Sequence, residues 1–493
     1  MNSWRDKFYK PLLWALIVVF LGVAGFSQRR LYFARETLGL TRLKPPENLP
    51  PTLAFTTVAL GGFRGLIANA LWIRASELQD QDKFFEMVQL ADWITKLQPH
   101  IPTVWYHLAW NMAYNITVKF TDPHDRWLWV KRGVELLRDQ ALVYNPHDTI
   151  LYRELSWIYQ HKIGQNLDDA HAYYKEMLAK SMSEVFGERP NYDELLHPQT
   201  DAQRAKVKLI REKFRLDPAV MKEVDDHYGP LEWRLPEAHA IYWAWLGMKE
   251  GGPKDRSTLR RSIFQTMQLA FHRGRIIENK FSDELQYGPN LAIIPNANKA
   301  YEEMIEQDPE LRENFKTGHK NFLLAAVYFL YTHNHITEAN KYFQMVKEKY
   351  PSAIPPDISL DEYAVKQITE QLGETSQDKM KAMLEGYWQN SYFYLALGED
   401  DQATGLDRLA RLAWQRFAQE TKMSKGRVHL PDIEFMKREA LDAILDPRNE
   451  VNPQLVAQLR TRLGLGAPTN APESTVPAPP ANTAPPASPV EKK

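Results

Sequence analysis

QPHIPTVWYHLAWNMAYN, residues 98–115, and NPHDTILYRELSWIYQHK, residues 145–162, carry one pattern 47 residues apart. Trp105, Leu108, Ala109 and Met112 of the first have the spacing of Tyr152, Leu155, Ser156 and Tyr159 of the second. A proline stands six residues before each set, at Pro99 and Pro146. Residues three, four and seven apart share one face of a helix, so each set predicts an apolar stripe. A small residue, Ala109 or Ser156, sits in each stripe where a neighbouring helix must come close. Each proline also closes an earlier helical stretch, QLADWITKLQP or GVELLRDQALVYNP, because it stops one helix before the next connection.

Working outward, the same register opens at Leu71, Arg74, Ala75 and Leu78 and runs to Pro99, although Arg74 stands where leucine is usual. A third unit starts at Tyr152, and its second helix, DDAHAYYKEML, offers Ala170, Tyr174 and Met177 for packing. A later one lies in HKNFLLAAVYFLYTHNHITEANKYFQMVKEKYP, with Ala339, Phe343, Val346 and Pro351 in the matching places. This pattern of large, large, small and aromatic positions followed by a closing proline resembles the tetratricopeptide repeat (TPR), a pair of antiparallel helices about 34 residues long. The resemblance implies an all-α, TPR-like helical-hairpin solenoid of the membrane-anchored bacterial envelope type. Against a period of about 34, the 47-residue step leaves some 13 residues over, assigned to VKFTDPHDRWLWV, Val118 to Val130. PEAHAIYWAWLG from Pro236, with Arg256 to Arg273, reads as a degenerate pair. Leu384 to Gly398, Asp401 to Gln419 and EFMKREALDAIL finish a stack of five or six repeats, whose atypical ends shield the last apolar faces.

Residues Pro11 to Phe26, PLLWALIVVFLGVAGF, contain no charge, and the uncharged window between Lys10 and Arg29 holds 18 residues. At about 1.5 Å per residue it reaches roughly 27 Å, close to a bilayer hydrocarbon core. Trp4, Phe8 and Tyr9 precede it and Tyr32 and Phe33 follow, as interfacial aromatics do. A retained signal anchor is expected; the rival is a cleaved signal peptide, with Val23 and Gly25, or Gly25 and Ser27, as the small residues. The cations are nearly balanced, Arg5, Lys7 and Lys10 against Arg29, Arg30, Arg35 and Arg42. Carrying a short tail with three cations across is the harder event, which places the large domain outside, in the periplasm beside the bacterial inner membrane. Leu53 to Ile73 is also apolar, but Arg64 at its centre and three glycines favour a membrane-proximal or core segment over a second span, with a re-entrant contact as the alternative.

The expected organisation is a tail at 1–10, the anchor at 11–28, a juxtamembrane segment at 29–66, repeats at 67–186, and a charge-dense helical insertion at 187–235. Degenerate and later repeats follow at 236–351, then C-terminal helical repeats and a cap at 352–465, and a Pro/Ala-rich tail at 466–493 that is expected to be disordered. With 61 basic against 62 acidic residues, the net charge of -1 gives no electrostatic case for nucleic acid. The absence of cysteine excludes disulfides, thiol nucleophiles and cysteine-ligated metal. Only 23 glycines among 493 residues favours helices over a many-turned β architecture.

None of HExxH, GxGxxG, GxxxxGK[ST] or GxSxG occurs, so no catalytic residue, cofactor or metal site is assigned. His333 and His335, at a turn, and His319 upstream are read as ordinary histidines rather than metal ligands. A better constellation comes from helical spacing. Tyr106, Trp110 and Tyr114 recur at i, i+4 and i+8; Arg153, Trp157 and His161 take the equivalent places, and Trp72, Ser76 and Asp80 do so in the first repeat. In the TPR family such positions line a concave peptide groove, so the resemblance implies a partner-binding groove of Trp72, Tyr106, Trp110, Tyr114, Arg153, Trp157 and His161. Packing between repeats is the competing use of the two tryptophans. The functional expectation is a non-catalytic scaffold that binds protein or peptide partners in an envelope complex. Its rivals are a polysaccharide-binding accessory protein, for which the tryptophans would stack on sugars, and an enzyme with its site in the insertion.

Overall fold

The computed structural model describes residues 3–37, 64–252, 255–279, 281, 285–369, 377–423 and 430–466. It is 78% helix and 2% strand, an all-α chain as the periodicity predicts. The chain divides into two compact units, Met1–Val104 and Trp105–Lys493.

In the first unit, α1 (Ser3–Thr37) is a single long helix. It contains an 18-residue window, Trp14–Leu31, of mean hydropathy 1.3, none of it buried, long and apolar enough to cross a membrane. Helices α2 (Arg64–Asp80) and α3 (Phe84–Leu97) then form a hairpin. Ala68, Ile94 and Val104, with Leu71 against them, make its core, while Ala75 and Leu78 are buried as the register requires. Of the apolar stretch Leu53 to Ile73, residues 53–63 lie outside the described residues. The rest belongs to α2, which Arg64 opens rather than interrupts.

The second unit opens within α4 (Pro102–Trp110), which passes into a π-helical turn, Asn111–Ile116. Helix α5 (Pro123–Glu135) likewise passes into a π segment, Leu136–Ala141, and α6 (Thr149–Trp157) into another, Ile158–Ile163. Asp122 accepts from the His124 amide before Pro123, and Asp148 accepts from the Leu151 amide, so both starts are capped as their sequences suggest. These segments correct the placing of the surplus residues. Val118 to Val130 is no separate insertion, since Pro123 onward is already second helix, and the excess is spread over two lengthened helices. Trp105, Leu108 and Ala109 are buried as expected, but Ala113, four residues on, is fully buried where Met112 is only half-buried; Tyr159, in the equivalent place on the π segment after α6, is buried.

Small residues sit where helices press together. A Cβ on Gly133 of α5 would stand 2.9 Å from the Ala109 carbonyl oxygen of α4. Ser156, fully buried on α6, donates its hydroxyl to the Ala240 carbonyl at 2.8 Å and meets Ser262 Oγ at 2.8 Å. Those partners belong to α11 (Pro236–Glu250) and α12 (Arg256–Arg273), the pair expected at that place. The segment between is α7 (His171–Phe186), α8 (Tyr192–Leu196), α9 (Asp201–Lys213) and α10 (Pro218–Tyr228). In α7, Ala170 at the cap and Tyr174 are buried, and Leu178 takes the core place intended for half-buried Met177.

The insertion at 187–235 is helical, yet it is more than a solvated face. Met221, Val224, Leu231, Trp233 and Leu235 are buried, and Asp225 receives the Leu231 amide, the Trp233 indole N–H and the Tyr192 hydroxyl. One feature escapes the periodicity altogether: a short antiparallel hairpin, β1 (Arg275–Ile277) and β2 (Gln286–Gly288), with Ile276 opposite Tyr287.

Helices α13 (Ile294–Gln307), α14 (Arg312–Thr332) and α15 (Ile336–Lys349) follow, α14 packing on both of its neighbours. Ala339, Phe343 and Val346 are buried in their expected places. Then come α16 (Leu360–Thr369), α17 (Gln377–Leu397), α18 (Asp400–Met423), α19 (Ile433–Leu445) and α20 (Pro453–Arg462). α17 packs against α18, α19 and α20. The Pro/Ala-rich tail from 467 onward lies outside the described residues.

Candidate functional site

Four of the seven groove residues come together. Trp110 stacks on Tyr114 with ring centroids 5.4 Å apart, and Trp157 stacks on His161 at 4.5 Å and 14°. The rows join where the Tyr114 hydroxyl and His161 Nδ1 share a hydrogen bond of 3.2 Å. The result is a chain of four rings, Trp110, Tyr114, His161 and Trp157, across the ends of α4 and α6. Trp110 is 39% and Trp157 37% exposed, so each indole keeps part of its surface open. Each indole closes an α-helix, and each inner ring lies on the π turn beyond it. Such turns occur frequently at functional sites.

The inner rings rest on charge. Lys162 is buried beneath them, its ammonium 5.3 Å from the Tyr114 ring centre. It donates to Thr117 Oγ1 at 3.0 Å and pairs with Asp168. Arg126 donates to the same carboxylate at 2.9 Å and to the Phe120 carbonyl at 2.7 Å, and Tyr174 Oη lies 3.2 Å from Asp168 Oδ2. Burial alone would push the Asp168 carboxyl up, but hydrogen bonds from Lys162, the Ala170 amide and Arg126, with the charge of Lys162, hold it below the ordinary value. Burial pulls the Lys162 ammonium down, with Asp168 opposing. Burial, and then the charge on Lys162, lower the His161 imidazole. The inner rings thus rest directly on a buried ion pair.

The other predicted residues fall elsewhere. Arg153 is 42% exposed and pairs with Glu154, so it is not the bare cation expected for a carboxylate. The Tyr106 ring lies 4.5 Å from His107 rather than on Trp110. Trp72 belongs to the first unit, at 36% exposure on α2, with Ser76 donating to its carbonyl at 3.1 Å. Lys162, Asp168, Arg126 and Glu154 were missed, since none recurs at the 47-residue step that singled out the rings.

Of the three histidines His319, His333 and His335, the first two are buried. His319 sits between Tyr350 Oη at 2.9 Å and Asn298 Oδ1 at 2.8 Å, and burial lowers it to about 4. His333 is buried against the Phe329 carbonyl at 2.8 Å, which corrects its placing at a solvent-facing turn, while His335 is half exposed. Among the described residues, no group of three or more His, Asp or Glu is arranged to hold a metal ion. No protein family, no curated protein and no solved structure matches the chain.

Proposed function

We propose that this chain is a membrane-anchored scaffold of the TPR type, at the bacterial inner membrane with its large domain in the periplasm, that captures partner protein segments on the Trp110, Tyr114, Trp157 and His161 shelf. The observation that carries the proposal is the half-exposed ring chain itself. Large planar side chains lose little conformational entropy on contact, so they make effective anchors, and tryptophan and tyrosine are enriched among residues that dominate binding energy. The anchor raises the local concentration of captured partners at the membrane. Exposed indole faces also suit sugar rings, which keeps polysaccharide binding as the second reading.

The test is the full-length double variant Trp110→Ala, Trp157→Ala in detergent. Capture of envelope proteins from solubilised membranes should fall severalfold while far-ultraviolet circular dichroism stays unchanged. Fully buried tryptophans would instead cost about 3 to 5 kcal/mol each. Undiminished capture by the folded variant removes the shelf as the partner site, and loss confined to glycan-array binding transfers it to the second reading.

A further inference from the structure

Away from the shelf, a cavity of about 590 Å³ opens between the first turn of α7, the first turn of α11 and the β1/β2 hairpin, with Asn166, His171, Lys175, Glu237, Arg273 and Tyr287 among its lining residues. Lys175 is 4% exposed. Its ammonium is held by Asn166 Oδ1 at 2.6 Å and His171 Nδ1 at 3.2 Å, and lies 5.9 Å from the Tyr287 ring centre. The two lining carboxylates are already engaged: buried Glu237 accepts from Arg273 Nε at 2.9 Å, and Glu176 pairs with Lys180 at 2.6 Å. Among the described residues no carboxylate lies within ion-pairing distance of Lys175. A buried ammonium whose hydrogen-bond partners are neutral is costly, and an opposite charge in direct contact with it would offset that cost.

Arg273 has the same sign, and its Nη2 is buried without a hydrogen-bond partner. Tyr173, Tyr287, Leu285 and Pro236 supply flat and apolar wall. We propose that this cavity binds a small organic monoanion, one carboxylate on a flat apolar body, with Lys175 as the counter-charge and Tyr287 against the ring. With Arg273 paired to Glu237 and Glu176 to Lys180, the described lining leaves one net positive charge, at Lys175, which favours one negative charge over the two of a phosphate ester. Burial, with the charge on Arg273 adding and that on Glu237 opposing, lowers Lys175 to about 8, so a bound carboxylate would also stabilise its ammonium.

The probe is benzoate at millimolar concentration on the full-length protein in detergent, with benzamide as its neutral analogue and inorganic phosphate as the alternative anion. Benzoate should raise the melting temperature in proportion to its logarithm, with benzamide and phosphate without effect. Lys175→Met should weaken benzoate about tenfold or more, because a charge-assisted contact is lost. In case that variant fails to fold, benzoate should slow acylation of Lys175 in the wild-type protein, followed peptide by peptide by mass spectrometry. The double variant Trp110→Ala, Trp157→Ala should keep the whole benzoate response, which separates this site from the shelf. Equal shifts with benzoate and benzamide, a response to phosphate as large as to benzoate, or an undiminished benzoate shift in folded Lys175→Met overturns the proposal.

Discussion

Ala109 shows how little room a single position leaves. It is fully buried, and α5 comes so close at Gly133 that a methyl group added to that glycine would stand 2.9 Å from the Ala109 carbonyl oxygen. Ala109→Trp should therefore overpack the α4/α5 contact and cost on the order of 1 to 3 kcal/mol or more, read from urea unfolding. A variant that unfolds like the parent would refute the assigned register. His239 makes a different demand. It is buried, with Nε2 3.1 Å from the Trp233 carbonyl and its ring 5.0 Å from Tyr159, and burial, with the charge on Arg138, lowers it to about 4. Its unfolded counterpart takes up a proton near pH 6.5, so between about 6.5 and 4 the unfolded state holds the extra proton. Stability from this group is thus complete above pH 6.5 and drains away as pH falls towards 4, by up to about 1.4 kcal/mol per pH unit. His319, also lowered to about 4, and His333 act in the same direction, so the total slope is shared. In His239→Gln the urea midpoint should fall less steeply from pH 7 to 5 than in the parent; an identical slope would mean that His239 is protonated in the fold.

At the scale of the element, the unusual devices are the π turns after Trp110, Glu135 and Trp157. A π turn accommodates one extra residue in an α-helix, so removing one should restore the α pattern and rotate the downstream residues by about 100°. Deleting Met112 is the direct trial. Helix content should hold, while Tyr114 turns away from His161 and tryptophan fluorescence from the shelf changes; fluorescence unchanged from the parent would show that the turn does not set the ring chain. The periodicity could announce the helices because burial of an apolar stripe repeats at helical spacing, and prolines with capping aspartates fixed many ends. It could not announce the π turns, since a one-residue surplus leaves the local apolar pattern nearly intact. Nor could it announce the β1/β2 pairing, in which three-residue strands are too short for alternation to register. The ring chain was legible because Trp110 and Trp157 recur 47 residues apart, whereas Lys162 and Asp168 beneath it depend on a loop folding back, which no spacing encodes. Arg153 misled for a local reason: Glu154, next in sequence, takes its charge.

For the whole molecule, the question is whether α1, the helix long and apolar enough to cross a membrane, anchors it. Helix α1, with 35 residues, is about 52 Å long, more than the roughly 30 Å of a hydrocarbon core, so its apolar window has helix to spare at both ends. Trp14, Val18, Phe20 and Phe26 are 65% to 68% exposed, surface that water penalises and lipid accepts. A second apolar surface competes for the role. Leu66 and Ile73 on α2 and Phe85 and Trp93 on α3 are 48% to 64% exposed, and scattered apolar residues of this kind suit a membrane face or a protein partner equally. Removing residues 1–37 separates the two. Among the described residues the apolar window of α1 is not buried and the core of the α2/α3 hairpin is Ala68, Ile94 and Val104, so the truncated protein should keep the helix content of the remaining chain and appear in the supernatant after carbonate washing of membranes. Retention in the pellet would transfer membrane attachment to the α2/α3 hairpin or to the segment before it. A further substitution of Ile73 and Trp93 by serine in the truncated chain would then decide the matter, since release by those two changes identifies the hairpin surface as the attachment and continued retention assigns it to residues 38–63.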